Sequence, residues 1–286
     1  NEILIKNQLN NSLNDTSNNI FINFDLSNMS DMYIVMLSTF GTMDLTCCLL
    51  TGESPFFHPK FWYKFSNKNC WWGNVNKNDS FLEILEILTS LGKIGSNYRK
   101  NQKNQKFLLN SINEDKNNFE FSMNNLFNYF ERIQILRNEI LNNYHLKSEW
   151  ERFTSTFIDV ALLYLYRVLW NVQLNSNLIK DVVDQYIEKI NMGLQNDLQH
   201  CTLFPNLIIG AHLINYSDDN TSNFKSKRKI IEKILTNSYN YLGFNNIDSL
   251  LNCLNKIWDK NEKIDENFNL DWFEMFHDIG ETTFIF

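Results

Sequence analysis

The chain has 286 residues, 43% of them hydrophobic and 21% charged, with a formal net charge of −7. That balance excludes a disordered polypeptide, which combines low hydrophobicity with high net charge, and it lacks the basic footprint with which a nucleic-acid-binding domain neutralises phosphates. Only 3 Pro and 9 Gly are present, too few for the turns of a sandwich or barrel, while 45 residues are Asn.

Residues 1–28 read as an Asn-rich linker with apolar islands, the best at 20–24, and residues 29–286 as one helical domain. The apolar stretch 29–50 predicts a buried helix. Residues 51–73 are rich in turn and aromatic residues, among them Pro55, Pro59, Phe61, Trp62, Trp71 and Trp72. Ser80 with Glu83 matches a capping box, in which each side chain satisfies the other's backbone donor. The helix it opens, 81–91, is expected to stop near Gly92 and Gly95, with 98–106 an exposed loop. Leu126, Phe130, Ile133 and Ile140 fall on one face of the next helix.

A second capping box, Ser148 with Glu151, opens the most apolar segment, 153–170, apolar nearly all round as in a helix buried mid-domain. Ser176 caps a helix bearing Leu178/Ile179, Val182/Val183, Tyr186/Ile187 and Ile190. A short apolar helix follows at 203–215, with Pro205 near its start. After a polar loop at 217–222, an amphipathic helix covers 225–241 and ends near Gly243. Ile247, Leu250, Leu251, Leu254, Ile257 and Trp258 stripe another, and a last helix runs from near Asp271 to Gly280. The fold class is all-α, a single irregular multi-helix domain of about eight or nine helices.

Chemistry is sparse. The nucleophile elbow, the P-loop, the dinucleotide fingerprint and H-E-x-x-H are all missing from the sequence, so no catalytic residues are assigned and no enzyme is expected. Glu83 and Glu86 read as solvated residues on a polar face rather than paired acids. His200 beside Cys201 is a poor catalytic pair, since adjacent residues rarely point at each other. His58, His145, His200, His212 and His277 lack metal spacing, and His212 reads as a hydrogen-bonded core histidine. The basic run Lys225, Lys227, Arg228, Lys229 reads as a solvated face, with nuclear import or an acidic partner as the alternative. Cys47, Cys48, Cys70, Cys201 and Cys253 are odd in number and irregular in spacing, which argues against a disulfide framework or a zinc site and for a reducing compartment. The start, 1–19, is too polar for a signal peptide. The nearest candidate for a membrane span, 157–170, is short and carries Asp159 and Arg167, so no membrane partner is expected. The first residue is Asn rather than Met, as expected of a fragment.

Five segments occur in a telling order: ALLYLYRVLW at 161–170, LFPNLIIGAHLI at 203–214, the helix with Arg228, the helix ending IWDK with Trp258, and LDWFEMFHDIG at 270–280. This series resembles the C-terminal regulatory domain of fungal binuclear zinc-cluster transcription factors, strongly from about residue 160 onward. The resemblance implies an all-helical fold, a nuclear location and control of transcription. It also implies a zinc cluster that reads DNA outside this fragment, because the five cysteines lack the needed spacing. No cofactor is expected in the chain itself. Relatives regulate amino-acid biosynthesis or sense sterols, so the implied role couples a nutrient or metabolite to biosynthetic genes, through a homodimer or heterodimer, transcriptional coregulators and a small-molecule effector. If two of the family's motif helices pack together, Phe204, Leu207, Gly210, Ala211, Trp272 and Phe276 would line the ligand pocket; plain core contacts are the competing reading. A ligand-free dimerisation scaffold holding partner proteins on DNA is the alternative function. It predicts an apolar surface patch and no internal cavity.

Overall fold

In the computed structural model, which describes residues 25–105, 115–142, 144–191, 197–214, 221–242, 246–261 and 270–282, ten α-helices follow one another. They are α1 (Asp31–Thr51), α2 (Ser80–Gln105), α3 (Asp115–Leu141), α4 (Glu149–Tyr164), α5 (Asn177–Asn191), α6 (Asp197–His200), α7 (Leu203–Ala211), α8 (Thr221–Leu242), α9 (Asn246–Asn261) and α10 (Trp272–Thr282). Short 3-10 segments, Pro59–Phe65 and Tyr144–Leu146, precede α2 and α4, and a π-turn, Leu165–Leu169, prolongs α4. Among the described residues there is no strand, only an isolated bridge between Cys70 and Gly73. The all-α class read from periodicity is therefore the observed one. Of the expected linker 1–28, residues 1–24 lie outside the described residues, as do residue 106 of the expected loop, 217–220 and Gly243. Leu26 is buried.

α4 is the axis of the molecule. Ser148 Oγ accepts from the Glu151 backbone N–H, and the Glu151 carboxylate accepts from the Ser148 N–H, so the capping box forms as the sequence spells it. Every residue from Phe153 to Tyr164 is buried, and α2, α3, α5, α6 and α7 all pack against this one helix. At its end the Trp170 N–H bonds to the Leu165 carbonyl, five residues back. The widened turn ends at Asn171, whose φ of 49° is tolerated by Asn more readily than by most residues.

The other expected capping box, Ser80 with Glu83, does not form. Asp79, not Ser80, caps α2: its Oδ1 accepts from the Phe81 N–H at 2.8 Å, and Glu83 turns instead to Arg132. Nor does the helix stop at Gly92 and Gly95. α2 continues to Gln105, so the expected loop 98–106 is helical as far as it is described. The glycines mark close approaches. A Cβ on Gly92 would lie 3.2 Å from Pro55 Cγ, and one on Gly95 would collide with the Tyr164 hydroxyl and lie 3.1 Å from its Cζ. A missing side chain here serves packing, and the rest of the helix outweighs the roughly 1 kcal/mol that a mid-helix glycine costs.

α1 ends at Gly52, in the left-handed region at φ 75°, where its N–H bonds to the Cys48 carbonyl. This helix also corrects the membrane reading. Among the described residues α1, not 157–170, is by length and composition the segment long and apolar enough to cross a membrane, and half of its most apolar window is buried in the fold. The aromatic segment after it forms a continuous cluster. Phe57 stacks on Phe61 at 4.7 Å, Trp62 and Trp72 lie beside Phe65, and Phe81 joins Trp72 to Phe157 on α4. Trp62 Nε1 donates to Thr89 Oγ1 on α2. At the other end of the chain α10 packs along α1 and passes Gly280, ending at Thr282.

Gly95→Ala is expected to lower stability by about 1–3 kcal/mol, because the added methyl overpacks the α2–α4 contact. Tyr164 Oη is buried without a hydrogen-bond partner, so Tyr164→Phe alone is expected to be neutral or stabilising and to restore most of the loss in the double variant. Urea midpoints of the four proteins check both halves.

Candidate functional site

The six residues expected to line a pocket are all interior. Phe204 on α7 borders an apolar cavity of about 10 Å³ with Leu45, Leu49, Leu88 and Phe157, room for at most one water. None of the other five lines that cavity. Leu207 and Ala211 are fully buried on the same helix. Gly210 is turned toward α8 and α9: a Cβ there would lie 3.1 Å from Leu254 and 3.3 Å from Ile231, and its carbonyl accepts from Trp258 Nε1 at 2.8 Å. Trp272 and Phe276 meet at 5.3 Å on α10.

Trp272 is the anchor of α10. Its Nε1 donates to the Leu49 carbonyl near the end of α1 at 2.8 Å, and its ring stands edge-on to Tyr164 at 5.2 Å and tilted against His212 at 5.3 Å. Arg167, buried in the π-turn, donates to the carbonyls of Val172 and Leu270, the second just before α10. His212 is fully buried, as expected of a core histidine. Its Nδ1 lies 2.7 Å from the Ile208 carbonyl, which only accepts, so Nδ1 carries the proton and Nε2 is a bare acceptor. Nε2 has no hydrogen-bond partner. Burial, with the Arg167 charge adding to it, lowers the His212 pKa to about 3.

A second constellation escapes the sequence reading. Asp159, fully buried on α4, accepts from Arg137 Nε of α3 at 3.2 Å and from Lys189 Nζ of α5. Arg137 Nη2 donates onward to Gln185 Oε1 at 2.8 Å, and the Tyr144 hydroxyl donates to the Lys189 carbonyl at 3.3 Å. Burial pushes the Lys189 ammonium pKa down, against the upward pull of Asp159. Tyr144, Gln185 and Lys189 also line an open cleft of about 520 Å³, together with Leu141, Leu146 and Glu188. The signal lay in the sequence: one carboxylate inside a segment apolar all round needs buried cations, and Lys189 falls in step with Val182 and Tyr186 on the inner face of α5.

The family model of the fungal specific transcription factor domain matches residues 8–286. The chain belongs to this family. No curated protein matches it, and no solved structure does. Membership gives the domain a role in transcription regulation, as the order of the C-terminal motifs implied, in a family that is generally non-enzymatic.

Within this transcription factor domain the remaining polar residues are mostly engaged in structure. Glu83 and Glu86 are half-buried and gripped by Arg132 at 3.0 and 2.5 Å, which joins α2 to α3. His200 stacks on Tyr241 at 4.2 Å and pairs with Ser238. The basic run divides: Lys225 and Lys229 are exposed, whereas Lys227 pairs with Asp184 at 2.8 Å and Arg228 lies over the Trp258 ring at 4.4 Å. None of the five cysteines is in a disulfide. Among the described residues no three His, Cys, Asp or Glu side chains gather as a metal site would need.

Two outcomes follow from these buried charges. Asp159→Ala leaves Arg137 and Lys189 without their counter-charge and is expected to cost about 3–5 kcal/mol of stability, read from urea unfolding at neutral pH. For His212 the folded pKa lies below the ordinary 6.5, so between the two values the unfolded chain binds more protons. Stability is then complete above pH 6.5 and falls as pH drops from 6.5 toward 3. His212→Asn, which keeps a donor for Ile208, is expected to flatten that slope by up to about 1.4 kcal/mol per pH unit, seen by comparing denaturant midpoints of the two proteins at pH 7, 5.5 and 4.5.

Proposed function

We propose that this domain is the regulatory part of a fungal zinc-cluster transcription factor, acting in the nucleus and coupling a nutrient or metabolite signal to transcription of biosynthetic genes. The observation that carries the reading is the family match across residues 8–286. The net charge of −7 supports the division of labour, since a domain this acidic repels the DNA backbone. DNA contact then belongs to a zinc cluster outside this chain, and the helical domain addresses coregulators as a homodimer or heterodimer. An effector acts by its differential affinity for two arrangements of the helices.

A ligand-free dimerisation scaffold is the second reading. It is favoured by a row of exposed apolar residues on α1, Met32, Val35, Met36 and Phe40, with exposures of 67%, 38%, 58% and 53%, and by how little space surrounds Phe204.

Fused to an unrelated DNA-binding domain in a fungal host, the chain is expected to change reporter transcription, and to change it differently when the nutrient supply is altered. Native mass spectrometry of the domain purified from that host is expected to show a small molecule lost on denaturation. A nutrient-independent effect from a bare dimer would replace the sensor with the scaffold. No reporter effect in either medium would sink both.

A further inference from the structure

We infer that the cleft between the end of α3, the turn at Tyr144–Leu146 and α5 binds a small organic monocarboxylate with an apolar tail, its carboxylate held by Lys189 Nζ and Gln185 Nε2. This deepens the sensor reading by naming where the effector sits, and it rests on that reading for its purpose. Arg137 and Lys189 bring two cations to the single carboxylate of Asp159, so among the described residues one positive charge beneath the cleft lacks a buried counter-charge. Such an excess is costly in a low-dielectric interior, and an incoming anion relieves it.

Donors remain for that anion. An ammonium has three N–H groups, and Asp159 takes one of those on Lys189. Gln185 uses its carbonyl oxygen for Arg137, which leaves its amide N–H₂ beside the cleft it lines. A carboxylate offers two acceptor oxygens for these two groups. Size and polarity agree. The cleft holds about 520 Å³, within the roughly 300–1,000 Å³ of small-molecule sites. Leu141 and Leu146 give its wall apolar surface, and Leu146 is 84% exposed, so an alkyl tail has something to cover. Glu188, exposed at the rim, disfavours a second negative charge and restricts the ligand to one.

The test uses hexanoate and its uncharged counterpart hexanamide, titrated into the whole domain by calorimetry. Hexanoate is expected to bind at least about tenfold more tightly than hexanamide, the worth of one charge-assisted hydrogen bond. Gln185→Glu keeps an acceptor for Arg137 while setting a negative charge in the cleft. It is expected to raise the melting temperature by supplying the missing counter-charge, to abolish hexanoate binding and to spare hexanamide. Lys189→Met is expected to lose the preference for the acid, and Glu188→Gln to strengthen hexanoate binding several-fold. Equal binding of acid and amide, hexanoate binding that survives Gln185→Glu, or no binding at millimolar concentration would overturn the site. Binding without any change in the nutrient-responsive reporter would sink the sensor reading and leave the site standing. A reporter response that survives Gln185→Glu would place the effector elsewhere.

Discussion

Asp159 stands on the stretch of α4 from Phe153 to Tyr164, in which every residue is buried. A carboxylate there is stable only if cations come to it, and the two that do belong to the helices on either side, Arg137 on α3 and Lys189 on α5. Each cation in turn fixes a neighbour: Arg137 takes Gln185, and the Lys189 backbone takes the Tyr144 hydroxyl. Burial of apolar area is non-directional and would allow α3 and α5 to slide along α4. The charge cluster allows one register. The nearby chain from Tyr186 to Asn206 to Thr202 carries the same polar logic toward α7, at 3.0 and 2.8 Å.

The far side of α4 is closed differently. There the π-turn leaves Arg167 facing inward, and its guanidinium bonds the carbonyls of Val172 and Leu270. Trp272 then reaches the Leu49 carbonyl, so the last described helix is tied to the first by one indole N–H. Small residues admit these approaches, Gly210 beside Leu254 and Gly52 beside Arg99 and Phe273. The result is a dense wall of aromatic contacts in which His212 Nε2 and Tyr164 Oη are left without partners.

Helix identity was legible wherever local chemistry acts alone. Ser148 and Glu151 formed their box, Ser176 accepts from Leu178 at the start of α5, and the Ile247 to Trp258 stripe faces the core on α9. The glycines of α2 were misread because a missing side chain looks the same in a sequence whether it ends a helix or admits a neighbour. Only the position of Tyr164, across the interface, distinguishes the two. Asp79 was overlooked as a cap because Ser80 offered a matching partner three residues on, and that partner was wanted by Arg132.

The sequence by itself determined the class of the fold, the burial of α4, the core position of His212 and, through the order of its C-terminal motifs, the family. Those follow from periodicity, capping and residue type, which are properties of neighbours along the chain. Tertiary structure alone decided that Gly210 is turned toward Leu254 while Trp272 meets Phe276, and that Arg137, Asp159, Gln185 and Lys189 converge beneath an open cleft. These four residues lie on three helices, up to 52 positions apart. Their meeting depends on which helix faces which, and no local pattern encodes that.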